Sequence, residues 1–183
     1  MQFARWFGLV VVAWVVLAGV PRADACGVWR MTDVEKKLSV RWLINSGTVS
    51  SVARNKRLAA LYLDEAKEGL RVVRDKKVVY DIKGDKLRKY GKAVATLRDD
   101  GTIAFGARSY TVTFADEKEL HGMPAWTLTV RRGDAVILES EEASALCAAA
   151  AAIQAGTPLS ATEQQAEIRR RVAFYLAWRE VGL

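Results

Sequence analysis

Histidine occurs once in this chain of 183 residues, at position 121, and cysteine twice, at positions 26 and 147. One imidazole and two thiols cannot assemble the nitrogen and sulfur ligands of a typical zinc centre, so no metal site is expected. The same scarcity leaves His121 as the one candidate imidazole base for a serine or cysteine hydrolase. It stands in the segment Leu120-His-Gly-Met-Pro124, which reads as a solvent-exposed loop. No G-x-S-x-G elbow accompanies it, and Cys147 lies among alanines with no nucleophile context. Neither G-x-G-x-x-G nor G-x-x-x-x-G-K occurs, so no phosphate-cradling loop and no nucleotide cofactor are expected. No catalytic, cofactor-binding or metal-ligating residue is assigned.

Carboxylates remain as candidates, because paired Asp or Glu can hydrolyse glycosides without histidine. Each has an ordinary structural explanation. Asp99-Asp100 falls at a hairpin tip, where Asp suits the turn. Asp116-Glu-Lys-Glu119 reads as a solvated loop, and Glu139, Glu141 and Glu142 suit the start of a helix. A carboxylate-dependent envelope hydrolase is therefore the alternative reading, behind a non-enzymatic one.

The first 26 residues are the most informative. Arg5 precedes an apolar run from Trp6 to Val20, followed by Pro21-Arg22-Ala23-Asp24-Ala25 and Cys26. That order matches a secretory signal peptide cleaved after Ala25, with small residues at 23 and 25. The expected organisation is a signal peptide over 1–25 and one domain over 26–183, exported to the periplasm or the exterior. Two other readings compete. Acylation of Cys26 would make a lipoprotein, though Asp24 is unfavourable in that pattern. An uncut anchor is the third, although the stretch from Phe7 to Val20 is shorter than the roughly 20 apolar residues a spanning helix uses.

In an oxidising compartment the two cysteines suggest a Cys26–Cys147 disulfide, which would tie the mature N-terminus to a C-terminal helix. Removing Arg5, Arg22 and Asp24 with the signal lowers the net charge from +7 to +6. The excess is concentrated between Lys67 and Lys92. There Arg71, Arg74, Lys76, Lys77, Lys86, Arg88, Lys89 and Lys92 form a candidate patch for an anionic partner, either an acidic polymer or a membrane surface. Lysines of this kind also blunt hairpin tips and sheet edges. Nucleic acid is not expected, since neither a recognition helix nor an RNP-like aromatic motif is present.

From Val28 to Glu139 the hydropathy pattern has period two, broken by short turn signals. Leu38, Val40, Trp42 and Ile44 share one strand face. Leu70–Arg74 and Val78–Ile82 read as a hairpin, as do Ala93–Arg98 and Thr102–Phe105 around Asp99-Asp100-Gly101. Tyr110, Val112 and Phe114 alternate with threonines, and Trp126, Leu128 and Val130 do the same before the turn at Arg132-Gly133-Asp134. Residues 53–67 fit either a helix or a strand and are left open. Glu141–Gln154 has strong helix propensity. Ser160 with Glu163 forms a capping-box pattern for a second helix, with Ile168, Val172, Tyr175 and Leu176 as its apolar stripe.

The expected fold class is α+β: an antiparallel β-meander, sheet or sandwich-like, with two C-terminal helices from about residue 140 packed on or beside it. Trp42 and Trp126 belong to the core by their alternation, which leaves Trp29 and Trp178 as aromatic candidates for stacking on a sugar. The functional expectation is an exported, non-enzymatic binding or structural module of the cell envelope. A protein, an anionic polymer or a membrane surface, the last through residues 67–92, would be its partner.

Overall fold

The computed structural model describes residues 28–43, 48–53, 56–66, 69–74, 76–120, 122–145, 149, 152–153 and 155–182. The expected signal peptide, Cys26, Cys147 and His121 lie outside the described residues.

Alternating segments become strands in chain order. The first six are β1 (Val28–Asp33), β2 (Leu38–Leu43), β3 (Thr48–Ala53), β4 (Lys56–Ala66), β5 (Gly69–Arg74) and β6 (Lys77–Lys83). They continue as β7 (Lys86–Lys89), β8 (Lys92–Leu97), β9 (Thr102–Phe105), β10 (Arg108–Leu120), β11 (Met123–Arg132) and β12 (Ala135–Ala143). Each pairs antiparallel with the next, as short connections favour. The hairpins expected around 75–77, 99–101 and 132–134 are all present. Gly101 takes φ +87°, and a Cβ there would lie 2.8 Å from the Val112 carbonyl oxygen, so this turn is reserved for glycine on two counts. The open question over residues 53–67 resolves as strand β4, whose Leu63 is in register with Val72 of β5.

Four expectations are corrected. The sheet is neither open nor a sandwich: β12 pairs with β1, Thr32 opposite Glu139 and Asp33 opposite Leu138, and the twelve strands close into a barrel. Closure leaves no unpaired edge, and it draws Glu139, Glu141 and Glu142 into β12, where helix propensity yields to a ladder with β11 that pairs Glu139, Ser140 and Ala143 and shifts register across Glu141 and Glu142. Among the described residues of that region, those in helical conformation are Ala149, Ala152 and Ile153. Asp116 to Glu119 belong to β10 and form no loop. Asp116 takes φ +49° where the register with β11 shifts, the mark of a bulge. Finally, the Cys26–Cys147 disulfide is not part of the fold: no disulfide occurs among the described residues, and both cysteines fall outside them. The first strand is held to the C-terminal segment by β1–β12 pairing and by contacts of Asp33 described below, so the join needs no covalent link.

The one long helix among the described residues, α1 (Ala161–Val181), starts with the expected capping box. Ser160 Oγ accepts from the Glu163 backbone N–H at 3.3 Å, and the Glu163 carboxylate accepts from the Ser160 N–H at 2.7 Å. The Ser160 hydroxyl, followed by its backbone N–H, holds the Glu163 carboxyl below the usual carboxylate range. Ser160→Ala is expected to destabilise the protein by about 1 kcal/mol in denaturant titration, with little further loss on adding Glu163→Ala, because the two residues act as one unit.

Helix α1 does not pack beside the sheet. Every residue from Arg171 to Ala177 is buried, and seven consecutive positions cover the whole circumference of a helix. It touches walls on opposite sides of the ring: Asp33 at the end of β1, Tyr80 on β6, Lys89 on β7, and Tyr110 and Phe114 on β10. Helix α1 therefore occupies the barrel lumen. Its 21 residues span about 31 Å, close to the length of a ten-residue strand such as β11. Ile168, Val172, Phe174 and Leu176 join Met31, Val40, Val72, Leu87, Ile103, Leu128 and Leu138 in one continuous core. Such burial on all sides explains why the stretch of residues 172–177 can be apolar around its whole circumference, while the first half of the helix, with exposed Glu163 and Arg170, keeps polar residues.

In an up-and-down meander, the turns after the odd-numbered strands share one end of the barrel. The C-terminus of α1 emerges at that same end, beside Lys89 and Asp33. We call it the exit end.

Candidate functional site at the exit end

The exit end is organised around an ionic network, buried at Asp33, Arg179 and Glu180 and open to water at Glu35, Arg108 and Arg132, that fixes the last turns of α1. Asp33, fully buried, accepts from the Tyr175 hydroxyl at 2.7 Å, from Arg179 Nε at 3.0 Å and from the Lys36 backbone N–H at 2.8 Å. Arg179 extends the network to Glu180 at 3.0 Å and to Glu35. Glu180 in turn accepts from the Tyr110 hydroxyl at 2.5 Å and pairs with Arg108, while Glu35 pairs with Arg132 at 3.1 Å. Arg108, Arg132 and Arg179 thus balance Asp33, Glu35 and Glu180, which is how charges become tolerable where water is scarce. On the opposite wall, Lys89 Nζ donates to the Val181 and Gly182 carbonyls at 2.7 and 2.9 Å, and the Tyr80 hydroxyl also donates to Gly182. These groups satisfy carbonyls that a helix C-terminus leaves open and place a cation at the negative pole of its dipole.

Burial pushes the Tyr80 and Tyr110 hydroxyls up to about 12, helped at Tyr110 by its bond to Glu180. Burial, then the bond to Asp33, raises Tyr175 further still. All three hydroxyls stay protonated in the folded state at pH values where an unfolded tyrosine, with its ordinary value near 10, ionises. The unfolded chain therefore releases protons first, so stability is retained below about pH 10 and lost as pH rises from there toward 12. An alkaline titration is expected to show tyrosinate absorbance from these residues appearing together with loss of tertiary structure. Smooth titration of every tyrosine near pH 10 in a still-folded protein would contradict the network.

The sequence-derived basic patch does not survive as one surface. Arg71 and Arg88 flank Asp81 in register across β5, β6 and β7, and Arg88 Nε bonds Asp81 at 3.0 Å. Lys86 lies at the other end of the barrel, 3.0 Å from Asp85 and 3.1 Å from Thr96 Oγ1. Arg74 is the last residue of β5, at the exit end. Lys76, Lys77, Lys89 and Lys92 also belong to the exit end. The topology brings Lys36 and Lys37, from the turn after β1, to join them, a pairing that segment-by-segment charge counting misses.

The exit end is also where apolar side chains meet water. Among the described residues, five large hydrophobic side chains are exposed: Val34, Val78, Tyr90, Ile153 and Val181. All but Ile153 are at this end, Tyr90 being the most exposed at 61%. The tips themselves are strained. Lys37, Lys76 and Tyr90 take φ of +53°, +63° and +49°, the left-handed region where glycine is the relaxed choice.

The remaining sequence candidates have structural duties. Asp100 accepts from the Thr102 backbone N–H at 2.8 Å, which holds its carboxyl below the usual range, and Asp85 is held low chiefly by its hydrogen bond to Lys86. A general acid at neutral pH needs the opposite shift. Glu117 accepts from Trp126 Nε1 at 3.3 Å. Trp126 is buried and packs edge-on to Phe114, as its alternation implied. Trp178 lies 5.6 Å from the Tyr175 ring, with Lys36 Nζ over its own ring at 5.9 Å, so neighbours already occupy that aromatic surface. Among the described residues, no group of three or more His, Cys, Asp or Glu side chains could hold a metal ion. No family model, curated protein or solved structure matches the chain.

Proposed function

We propose that this protein is an exported, non-enzymatic module of the cell envelope that binds its partner through the outside of a filled barrel. The observation that carries this reading is the helix in the lumen. Barrels of this kind commonly hold their ligand inside. Here Val172, Phe174, Tyr175 and Leu176, all fully buried, fill that space instead. Recognition is left to the ends and the outer wall. The outer wall supports a water-facing role. Thr111 and Thr113 alternate outward from buried Tyr110 and Val112, while Arg131 and Glu139 are exposed on β11 and β12. An arginine or lysine facing hydrocarbon at mid-bilayer would cost about 2–4 kcal/mol, so this wall suits an aqueous compartment.

Affinity capture with the full mature chain from envelope extracts tests the reading. A defined protein, glycan or lipid should be enriched, and purified partner should bind with the barrel still folded. Repeated failure to enrich any component, or turnover of an envelope glycan that a single carboxylate substitution abolishes, would overturn it.

A further inference from the structure

We propose that the exit end is a docking face for an anionic lipid surface; this rests on the reading that the protein binds through its exterior. Two independent features coincide there. Lys36, Lys37, Lys76, Lys77 and Lys92 are exposed on the turns after β1, β5 and β7 or at the strand ends beside them, and Lys89 stands inside that ring. The exposed apolar side chains Val34, Val78, Tyr90 and Val181 occupy the same end. The acidic groups of the underlying network, Asp33, Glu35 and Glu180, are already matched by arginines, and the exposed lysines outnumber Asp134 on the turn after β11, so the lysines supply the net field. The opposite end carries Asp85, Asp99, Asp100, Glu141 and Glu142 against Lys83, Lys86 and Arg98, so acids are in excess there and lysines at the exit end, a charge axis that would present the lysine end first to a negative surface.

The arrangement fits lipid better than a protein partner. Protein interfaces concentrate binding energy in a few packed anchors at the centre of a contiguous patch. Here Val34 and Tyr90 stand at separate hairpin tips, Val78 near the start of β6 and Val181 at the end of α1, with lysines interleaved, an arrangement suited to a surface that deforms around each prong. Lysines reach phosphates while their stems lie along the apolar boundary, and a tyrosine with a free hydroxyl sits naturally at headgroup level. The strained left-handed backbone at Lys37, Lys76 and Tyr90 points the same way. Glycine would relieve it, yet each position carries a large side chain of the type this contact uses.

Flotation of the full mature chain with phosphatidylcholine vesicles, with and without phosphatidylglycerol, tests the proposal. Binding is expected only with the anionic lipid, and it should weaken as salt is raised. Each lysine lost should lower partitioning about fivefold, so Lys76→Asn combined with Lys92→Gln should lower it about 25-fold. Tyr90→Asn, which the left-handed turn accommodates, should lower the part of binding that resists salt, to which Val34, Val78 and Val181 also contribute. Lys83→Gln, at the opposite end, should leave binding unchanged. Far-ultraviolet dichroism and melting of each variant report that the barrel is intact. Equal binding to neutral vesicles, equal loss with Lys83→Gln, or binding to soluble polyphosphate without binding to vesicles would overturn the proposal. Failure on vesicles with a reconstituted protein partner in hand would overturn it and leave exterior binding standing; failure of both would remove both.

Discussion

Asp33→Ala is expected to cost about 3 kcal/mol or more, toward the lower part of the roughly 3–5 kcal/mol typical of breaking a buried ion pair. Asp33 is completely buried, and one carboxylate serves Tyr175, Arg179 and the turn N–H of Lys36. Without it the Tyr175 hydroxyl loses its buried acceptor, and three arginines face only Glu35 and Glu180. Arg179 keeps those two carboxylates, which is why the cost should fall at the lower end. Against a typical total of about 5–15 kcal/mol, the loss is large. Denaturant titration should show a lower midpoint with an unchanged slope, the signature of lost stability in a native state of unchanged compactness. Asp33→Asn, which retains the acceptor but not the charge, should recover part of the loss. In a double-mutant cycle, Arg179→Met should cost much less in the Asp33→Ala background than in the wild type, since the guanidinium it removes is by then under-compensated. Additive losses would show that Asp33 and Arg179 act separately.

Single alanine substitutions at Val172, Phe174 and Leu176 are expected to destabilise without exception. Phe174→Ala should cost about 3–5 kcal/mol and Leu176→Ala about 2–5 kcal/mol, from lost burial and the cavities left behind. The pattern is more decisive than the magnitudes. Successive helical residues are turned by about 100°, so a helix lying against an outer wall would expose at least one position within any turn. In a lumen none is exposed, and all these residues have no accessible surface. Tyr175→Phe belongs to the same series and removes only the hydroxyl bonded to Asp33, so its loss should be nearer about 1–3 kcal/mol. An indifferent position between Val172 and Leu176 in the melting temperatures would place α1 outside the barrel.

The exit-end surface was only half legible in the chain. Lys76, Lys77, Lys89 and Lys92 are close in sequence and drew attention as a charge cluster. Lys36 and Lys37 lie some forty residues earlier, and nothing local connects them to it. Arg88 and Lys86 looked equivalent to these lysines in sequence, but cross-strand pairing assigns Arg88 to Asp81, and the strand direction sets Lys86 at the opposite end beside its neighbour Asp85. The buried network was illegible for the same reason: Asp33 and Arg179 are 146 residues apart. One signal was available. The unbroken apolar run from Val172 to Trp178 has no polar face, which a helix resting on a sheet would show.

What the sequence determined by itself was local. Side chains alternating with period two specify strands, glycine at position 101 permits a turn that a Cβ would block, and Ser160 with Glu163 marks the first turn of a helix, because each depends on residues within a few positions of one another. What the tertiary structure decided was the closure of β12 on β1, the choice of strand over helix at Glu141, and the threading of α1 through the ring. Alternation reads the same in an open sheet and in a closed one. The difference lies in pairing between residues more than a hundred positions apart, such as Asp33 and Leu138, whose loop-closure entropy is repaid only when the whole barrel and its helix are buried together.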